Sequence, residues 1–426
     1  MNARKLIAIP FLVILAVLLA LIPVATSQGK HAAAASAATN VNQPNCPGIT
    51  PASSGANPTL PYRFDFGSGP AASGYTKVLP TTAYSAARGY GFASTANLVA
   101  VNRGAPDTFH GDFITSSKPF TFDTNLPDGN YNVTVSLGDN DGSSATTVKA
   151  EFGRLMMNKV TTTAGHFVTQ TFTVNVADGQ LNLQFTWTDP KVDGLEIAKA
   201  NVVTVFLAGD STVCDQPPMS DPYISYSGWG QALPLYLKPG VAVANYAAGG
   251  RTSISFINEG KLNDILKVIK PNDFLFIQFG HNDEHAGSGS SPFTTYKAAL
   301  QKYIDGARAH KAIPVLVTPV ARRSFDSKGN IVDTHGSYPV AMRQLAAADH
   351  VQLIDLTALS MAYFQKLGPT GTKALFFFLN AGVSPDFPNG VADNTHFQVN
   401  GAIQVANLVA SAIKSQNIQP LASYIQ

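Results

Sequence analysis

Four short stretches bring together residue types that do chemistry jointly. Gly209-Asp210-Ser211-Thr212 closes an apolar run, AAGGRTS (247–253) holds Gly249, Gly250 and Arg251, FGHNDEH (279–285) holds His281, Asn282 and Asp283, and ADNTHFQVNGA sets Asp393 three residues before His396. A serine hydroxyl attacks a carbonyl only when a base takes its proton, and neutral imidazole suits that task near neutrality. These spacings predict Ser211 as nucleophile, His396 as its base, and Asp393 as the group that orients the ring and stabilises the imidazolium. Attack turns the carbonyl oxygen into an oxyanion, which needs fixed donors. The backbone N–H groups of Ser211 and Gly250 and the side-chain amide of Asn282 are the candidates. A glycine suits that turn because no Cβ obstructs the ligand.

Each residue also has a plainer reading. Alone, Ser211 reads as a helix N-cap, Asn282 as a turn residue and Asp283 as a local backbone cap, and only for Asp283 is that reading kept. His281, Asp283 and His285 invite a metal reading, but alternate residues converge only on a strand, and the strand ends before them. No metal and no cofactor are therefore expected. AAGGRTS lacks the lysine of a phosphate-binding loop, and no G-x-S-x-G surrounds Ser211. Arg251, Arg322 and Arg323 are assigned to substrate binding. The last two follow a strand end and suit the carboxylates of an acidic polysaccharide, the alternative being solvated surface charges.

The elements that position these residues follow from the change of hydrophobic period. Between residues 61 and 200, short alternating runs such as YRFDF, YNVTVSL, FVTQTFTVNV and LNLQFTW predict an antiparallel β-sandwich, jelly-roll-like. The last two runs are joined by Ala177-Asp178-Gly179-Gln180, which reads as a tight hairpin. Aromatic side chains such as Tyr131 and Trp187 either line a glycan site or fill the core. From 201 to 426 the buried runs VVTVFLA, VAVAN, FLFIQF, IPVLVT and VQLID alternate with helix-length segments. That is an α/β domain with a parallel sheet covered on both faces, and chemistry in such sheets collects at the carboxyl ends of the strands.

Residues 1–27 place Arg4 and Lys5 before an apolar run that ends near Val24 and small residues, the layout of a secretory signal peptide or, alternatively, of an uncleaved anchor. Residues 28–60 read as a flexible linker. A secreted, extracellular or periplasmic protein is expected, with no stable membrane association after signal removal. Charged residues are 13% of the chain and the net charge is +2, so no field points to nucleic acid. Cys46 and Cys214 are the two cysteines; they either pair in an oxidising compartment or stand as independent thiols.

GDST, AGGRTS, FGHND and DNTHF resemble the four blocks of the SGNH (GDSL-like) hydrolase superfamily. The threonine after the serine, and the segment TPVARRSFDSKGNIVDTHGSYPVAMRQLA, resemble its rhamnogalacturonan acetylesterase branch. The stretch LGDNDGSSATTVKAEFGRLM resembles the galactose-binding-like domain found before bacterial members. The resemblance implies a three-layer flavodoxin-like catalytic domain, with Ser211, Asp393 and His396 as triad and Gly250 and Asn282 in the oxyanion hole. It also implies a serine esterase removing acetyl groups from plant cell-wall polysaccharide, rhamnogalacturonan first. An acetylxylan or lipase-like esterase, and a non-catalytic carbohydrate-binding protein, are the alternatives.

Overall fold

Alternation of inward apolar and outward polar residues builds residues 62–200 into two packed sheets. The strands are β1 (Tyr62–Phe66), β2 (Thr76–Val78), β3 (Tyr90–Phe92), β4 (Leu98–Asn102), β5 (Asp112–Ser116), β6 (Phe120–Asn125), β7 (Gly129–Asp139), β8 (Ser144–Ala150), β9 (Arg154–Thr162), β10 (His166–Val176), β11 (Gln180–Asp189) and β12 (Lys191–Ala200). One sheet has the order β10-β7-β12-β1-β2, with β5 and β4 continuing beside β12, and the other β3-β6-β11-β8-β9. Pairing is antiparallel except between β1 and β2. Phe64, Phe66, Val133, Val135 and Leu137 from one sheet meet Phe122, Leu181, Leu183 and Phe185 from the other in a single core.

Two sequence expectations change here. β10 pairs with β7 whereas β11 pairs with β6 and β8, so Asp178-Gly179 is not a hairpin turn but a crossing between sheets. Gly179 still takes the left-handed conformation the turn requires, φ 79°, and its N–H donates to Asp128. Tyr131 is fully buried with its hydroxyl donating to Pro127 O, which makes it a core residue and not a glycan contact.

From Val203 onward the chain forms β13 (Val203–Gly209), β14 (Tyr226–Ser227), β15 (Val241–Asn245), β16 (Phe274–Gln278), β17 (Ile313–Val317), β18 (Gln352–Ile354), β19 (Phe376–Leu379) and β20 (Val391–Gln398). The helices used below are α1 (Trp229–Ala232), α2 (Ser253–Asn258), α3 (Lys261–Leu266), α4 (Lys297–Ala309), α5 (Tyr338–Ala348), α6 (Leu356–Gly371) and α7 (Val399–Ser415). β15-β13-β16-β17-β18 are parallel, the 2-1-3-4-5 order of flavodoxin-like folds. Period-two alternation sends Val205 and Leu207 to a core shared with α1, α6 and α7, and Phe206 and Ala208 to one shared with α2, α4 and α5. β14, β20 and β19 form a separate antiparallel sheet.

The computed structural model describes residues 60–151, 153–217, 219 and 224–426, all within one compact unit. The expected signal peptide, the expected linker up to residue 59 and Cys46 lie outside the described residues; Cys214 itself is disulfide-bonded. Among the described residues no helix is long and apolar enough to cross a membrane. The sandwich and the α/β part are joined through a buried charge. Arg154 of β9 donates from Nε to Asp215 Oδ2 at 2.8 Å, and from Nη1 to Val243 O at 2.8 Å and Asn175 O at 3.0 Å.

Candidate active site

Parallel strands in register end level with one another, and that is what gathers the site. Leu207 of β13 lies opposite Asn245 of β15, Gly209 lies opposite Gln278 of β16, and Ala248 N donates to Gly209 O at 3.0 Å. Two residues past Gly209, Ser211 therefore stands beside the turns that carry Gly250 and Asn282. The chain after Gly209 tightens at once, with Val213 and Cys214 N–H both donating to Asp210 O at 3.1 Å. Asp210 Oδ1 accepts from Thr212 N at 2.9 Å and Thr212 Oγ1 at 2.7 Å. Gln278 Nε2 donates to the same hydroxyl oxygen at 2.8 Å, while Gln278 Oε1 holds the indole N–H of the buried Trp229. The threonine after the serine is thus a bracket that fixes the turn.

Ser211 Oγ lies 2.8 Å from His396 Nε2, and His396 Nδ1 lies 2.8 Å from Asp393 Oδ2. With Nδ1 carrying the proton toward Asp393, Nε2 presents its lone pair to the serine hydroxyl. The second carboxylate oxygen, Asp393 Oδ1, accepts the backbone N–H of Thr395 at 2.7 Å and of His396 at 2.9 Å. Burial pushes the Asp393 carboxyl up, but the His396 hydrogen bond and charge and these two N–H groups outweigh it and hold the group below its ordinary range. It is therefore ionised at neutral pH. Tyr226 sets its ring at 5.6 Å and nearly perpendicular to the imidazole of His396. Sequence reading placed Asp393 and His396 only ahead of a helix; they stand on β20, where Asp393 and Thr395 put polar side chains at the less exposed positions and so hide the apolar alternation of a strand.

Gly250 occupies the turn after β15 with φ 76°, where Arg251 N reaches back to Ala248 O at 3.4 Å. A Cβ there would meet nothing within 4 Å, so the glycine is required by backbone conformation and not by crowding. Asn282 donates from Nδ2 to Arg251 O at 3.0 Å, which locks the amide to the glycine turn. Asp283 is not the local cap expected: it accepts Ser253 N at 3.1 Å and Ser253 Oγ at 2.6 Å at the start of α2, a helix whose own N-cap is Thr252.

The members of the alternative metal cluster go separate ways. His285 is exposed, Asp283 faces α2, and His281 is buried with Nδ1 3.4 Å from Asp210 Oδ2, stacked edge-on against His335. Burial, countered only in part by Asp210, pushes His281 down to about 4, so a neutral imidazole sits against the Asp210-Ser211 turn at neutral pH.

The three arginines turn toward protein partners. Arg251 pairs with Glu259 and donates to Gly249 O. Arg323 donates to Asn394 Oδ1 at 2.9 Å and to Pro369 O, with its guanidinium 5.0 Å from the Phe378 ring. Arg322 pairs with Glu284 and donates to Thr395 Oγ1 and His281 O, each at 3.2 Å. Glu284 in turn faces His335 Nδ1 at 2.8 Å, and His335 Nε2 faces Val320 O at 2.9 Å. Nothing in the residue spacing singled out Glu284 or His335. A lone histidine in a loop and an acid after HND become visible only when the fold juxtaposes them.

Residues 207–376 match the GDSL-like lipase/acylhydrolase family, and residues 62–193 match the beta-agarase/YXIM esterase-like, galactose-binding domain-like family. The rhamnogalacturonan acetylesterase RhgT of Bacillus subtilis is 43% identical over 223 residues, 52% of this chain and 94% of that protein. The uncharacterized esterase YxiM of the same organism is 32% identical over 372 residues, 84% of this chain and 91% of that protein. The crystal structure of that YxiM protein superimposes with a TM-score of 0.47 at 31% identity, covering 84% of this chain and 99% of that one. The chain belongs to the GDSL-like lipase/acylhydrolase family, with a galactose-binding-like domain ahead of the hydrolase part. It is a carboxylic ester hydrolase.

Proposed function

We propose that this chain is a secreted serine carbohydrate esterase that removes acetyl groups from plant cell-wall polysaccharide, rhamnogalacturonan first. The observation that carries the proposal is the relay Ser211 Oγ, His396 Nε2, His396 Nδ1, Asp393 Oδ2, with both links at 2.8 Å. Its charged end is an ionised carboxylate and its other end a hydroxyl level with two oxyanion candidates. In this reading Ser211 Oγ bonds to the acetyl carbonyl carbon while its proton passes to His396. The oxyanion is met by the N–H groups of Ser211 and Gly250 and by the Asn282 N–H not used on Arg251 O. Collapse breaks the C–O bond to the sugar, and His396 returns the proton to the departing sugar oxygen. Water then repeats the sequence on acetyl-Ser211, with His396 as base, and releases acetate.

Rhamnogalacturonan is placed first because a relative named as its acetylesterase is 43% identical to this chain and one named as a probable acetylesterase is 40% identical, each over 52% of this chain. Secretion rests on the charge and apolar pattern of residues 1–27. The test is acetate release by the purified full chain from acetylated rhamnogalacturonan, xylan and mannan. The proposal expects the highest kcat/KM on rhamnogalacturonan. Release from xylan alone overturns the substrate, and no release from any of the three by folded protein overturns the esterase reading on carbohydrates.

A further inference from the structure

Arg322 leaves the loop after β17, where Ala321 N donates to Ser360 Oγ of α6 at 2.9 Å and so ties the loop to a buried helix. Its guanidinium then reaches three separate segments. Nε donates to the hydroxyl of Thr395, the residue whose own N–H holds Asp393 Oδ1. Nη2 donates to the carbonyl of His281, the residue before Asn282. Nη1 pairs with Glu284, two residues after Asn282, and donates to Thr334 Oγ1 at 3.2 Å. Arg322 and Glu284 side chains are each only 16% exposed, so solvent supplies little competition. Burial pushes Glu284 up, but the charge and hydrogen bonds of His335 and Arg322 outweigh it and keep the carboxylate ionised.

We infer that Arg322 is a positioning residue that holds the Asp393–His396 segment and the Asn282 turn in one frame, in place of binding substrate carboxylates. The inference rests on the acyl-enzyme reading above. The physical basis is the guanidinium itself: five N–H donors fixed in a plane serve three directions at once, which a lysine ammonium on a flexible stem does not reproduce. The carboxylate of Glu284, shared with His335, holds that plane still. Arg323 secures the same strand one residue earlier, through Asn394.

The test is steady-state kinetics of Arg322→Ala, Arg322→Lys and Glu284→Gln on 4-nitrophenyl acetate, which has no carboxylate, and on acetylated rhamnogalacturonan. A displacement of about 1 Å in a reacting group costs about 100-fold, so kcat of Arg322→Ala is expected to fall about 100-fold on both substrates with KM changed less than about threefold. Arg322→Lys restores less than a tenth of the loss. Because both catalytic elements move together, Arg322→Ala and Asn282→Ala combine to less than the product of their separate effects. A loss confined to KM on the polysaccharide, full activity of Arg322→Lys, or multiplicative effects overturns the inference. If Arg322→Ala does not fold, Arg322→Lys and Glu284→Gln decide by the same kcat and KM criteria. Ser211→Ala runs beside them: if it is active, the acyl-enzyme reading itself has failed, whereas a dead Ser211→Ala with normal Arg322 variants removes this inference alone.

Discussion

Replacing Arg154 with methionine tests whether the sandwich is part of the esterase's framework. Arg154 is a sandwich residue, yet its side chain is 3% exposed and its partner Asp215, four residues after Ser211, is 9% exposed. Asp215 also accepts Asn245 Nδ2 at 2.8 Å, and that same amide donates to Val213 O at 2.9 Å, so the pair is wired into the turn that carries Ser211. Methionine fills much of the volume but strands a buried carboxylate, a loss of about 3–5 kcal/mol. With an unfolding entropy of about 2.1 cal/mol/K per residue, the roughly 360 described residues unfolding together give about 0.76 kcal/mol/K, hence a fall in Tm of about 4–7 °C. Asp215 is already held above its ordinary range by burial, against the pull of Arg154. Without Arg154 its folded-state proton affinity rises further, so the deficit is larger at pH 8 than at pH 5, because falling pH lets the stranded carboxyl take up a proton. Adding Asp215→Asn removes the stranded charge and recovers part of the loss. Thermal unfolding by circular dichroism at both pH values is the assay. A Tm within 1 °C of wild type, or a double variant no better than the single one, refutes the reasoning.

Asn282→Ala is expected to lower kcat on 4-nitrophenyl acetate by about 100- to 1000-fold with little change in KM, the effect of losing one oxyanion donor; a change in KM alone assigns Asn282 to ground-state binding. Asp393→Asn is expected to lower kcat on the order of 10⁴-fold. Because the folded-state Asp393 carboxyl lies below its ordinary range, its contribution to stability is complete above about pH 5 and fades as pH falls through that lowered value. The stability gap between wild type and Asp393→Asn should therefore close in acid, and a gap constant down to pH 2 contradicts the assignment. A chain beginning at Asn201 should aggregate or melt well below the full chain, since it leaves Asp215 unpaired and strips the sandwich from Val243; a soluble chain of wild-type Tm and activity shows the sandwich to be dispensable.

The parallel sheet was legible because strands buried on both faces read as unbroken apolar runs, and their ends announce the site by switching abruptly to Gly, Asp, Ser, Asn and His. Ser211, Gly250, Asn282, Asp393 and His396 could be picked out because each sits at such a switch or in a spaced pair. β20 was not legible: polar Asp393 and Thr395 occupy its less exposed positions, and its strand identity comes from pairing with β19 just before it and with the remote β14. The Asp178-Gly179 turn misled for a related reason, since its local chemistry is the same whether the next strand joins its own sheet or crosses to the other. The protein partners of the arginines were the least legible. A guanidinium's role is set by what faces it, and Thr395 and Glu284 are 73 and 38 residues from Arg322 in the chain.

The most direct test of the serine mechanism is covalent trapping. The full chain is treated with a fluorophosphonate, the modified peptide is located by mass spectrometry, and residual acetyl esterase activity is followed in parallel. The account predicts one adduct per chain, on Ser211, appearing in step with the loss of activity, and no adduct on a folded Ser211→Ala variant that is itself inactive. Turnover that survives full modification of Ser211, or a Ser211→Ala variant that hydrolyses acetyl esters at the wild-type rate, contradicts it.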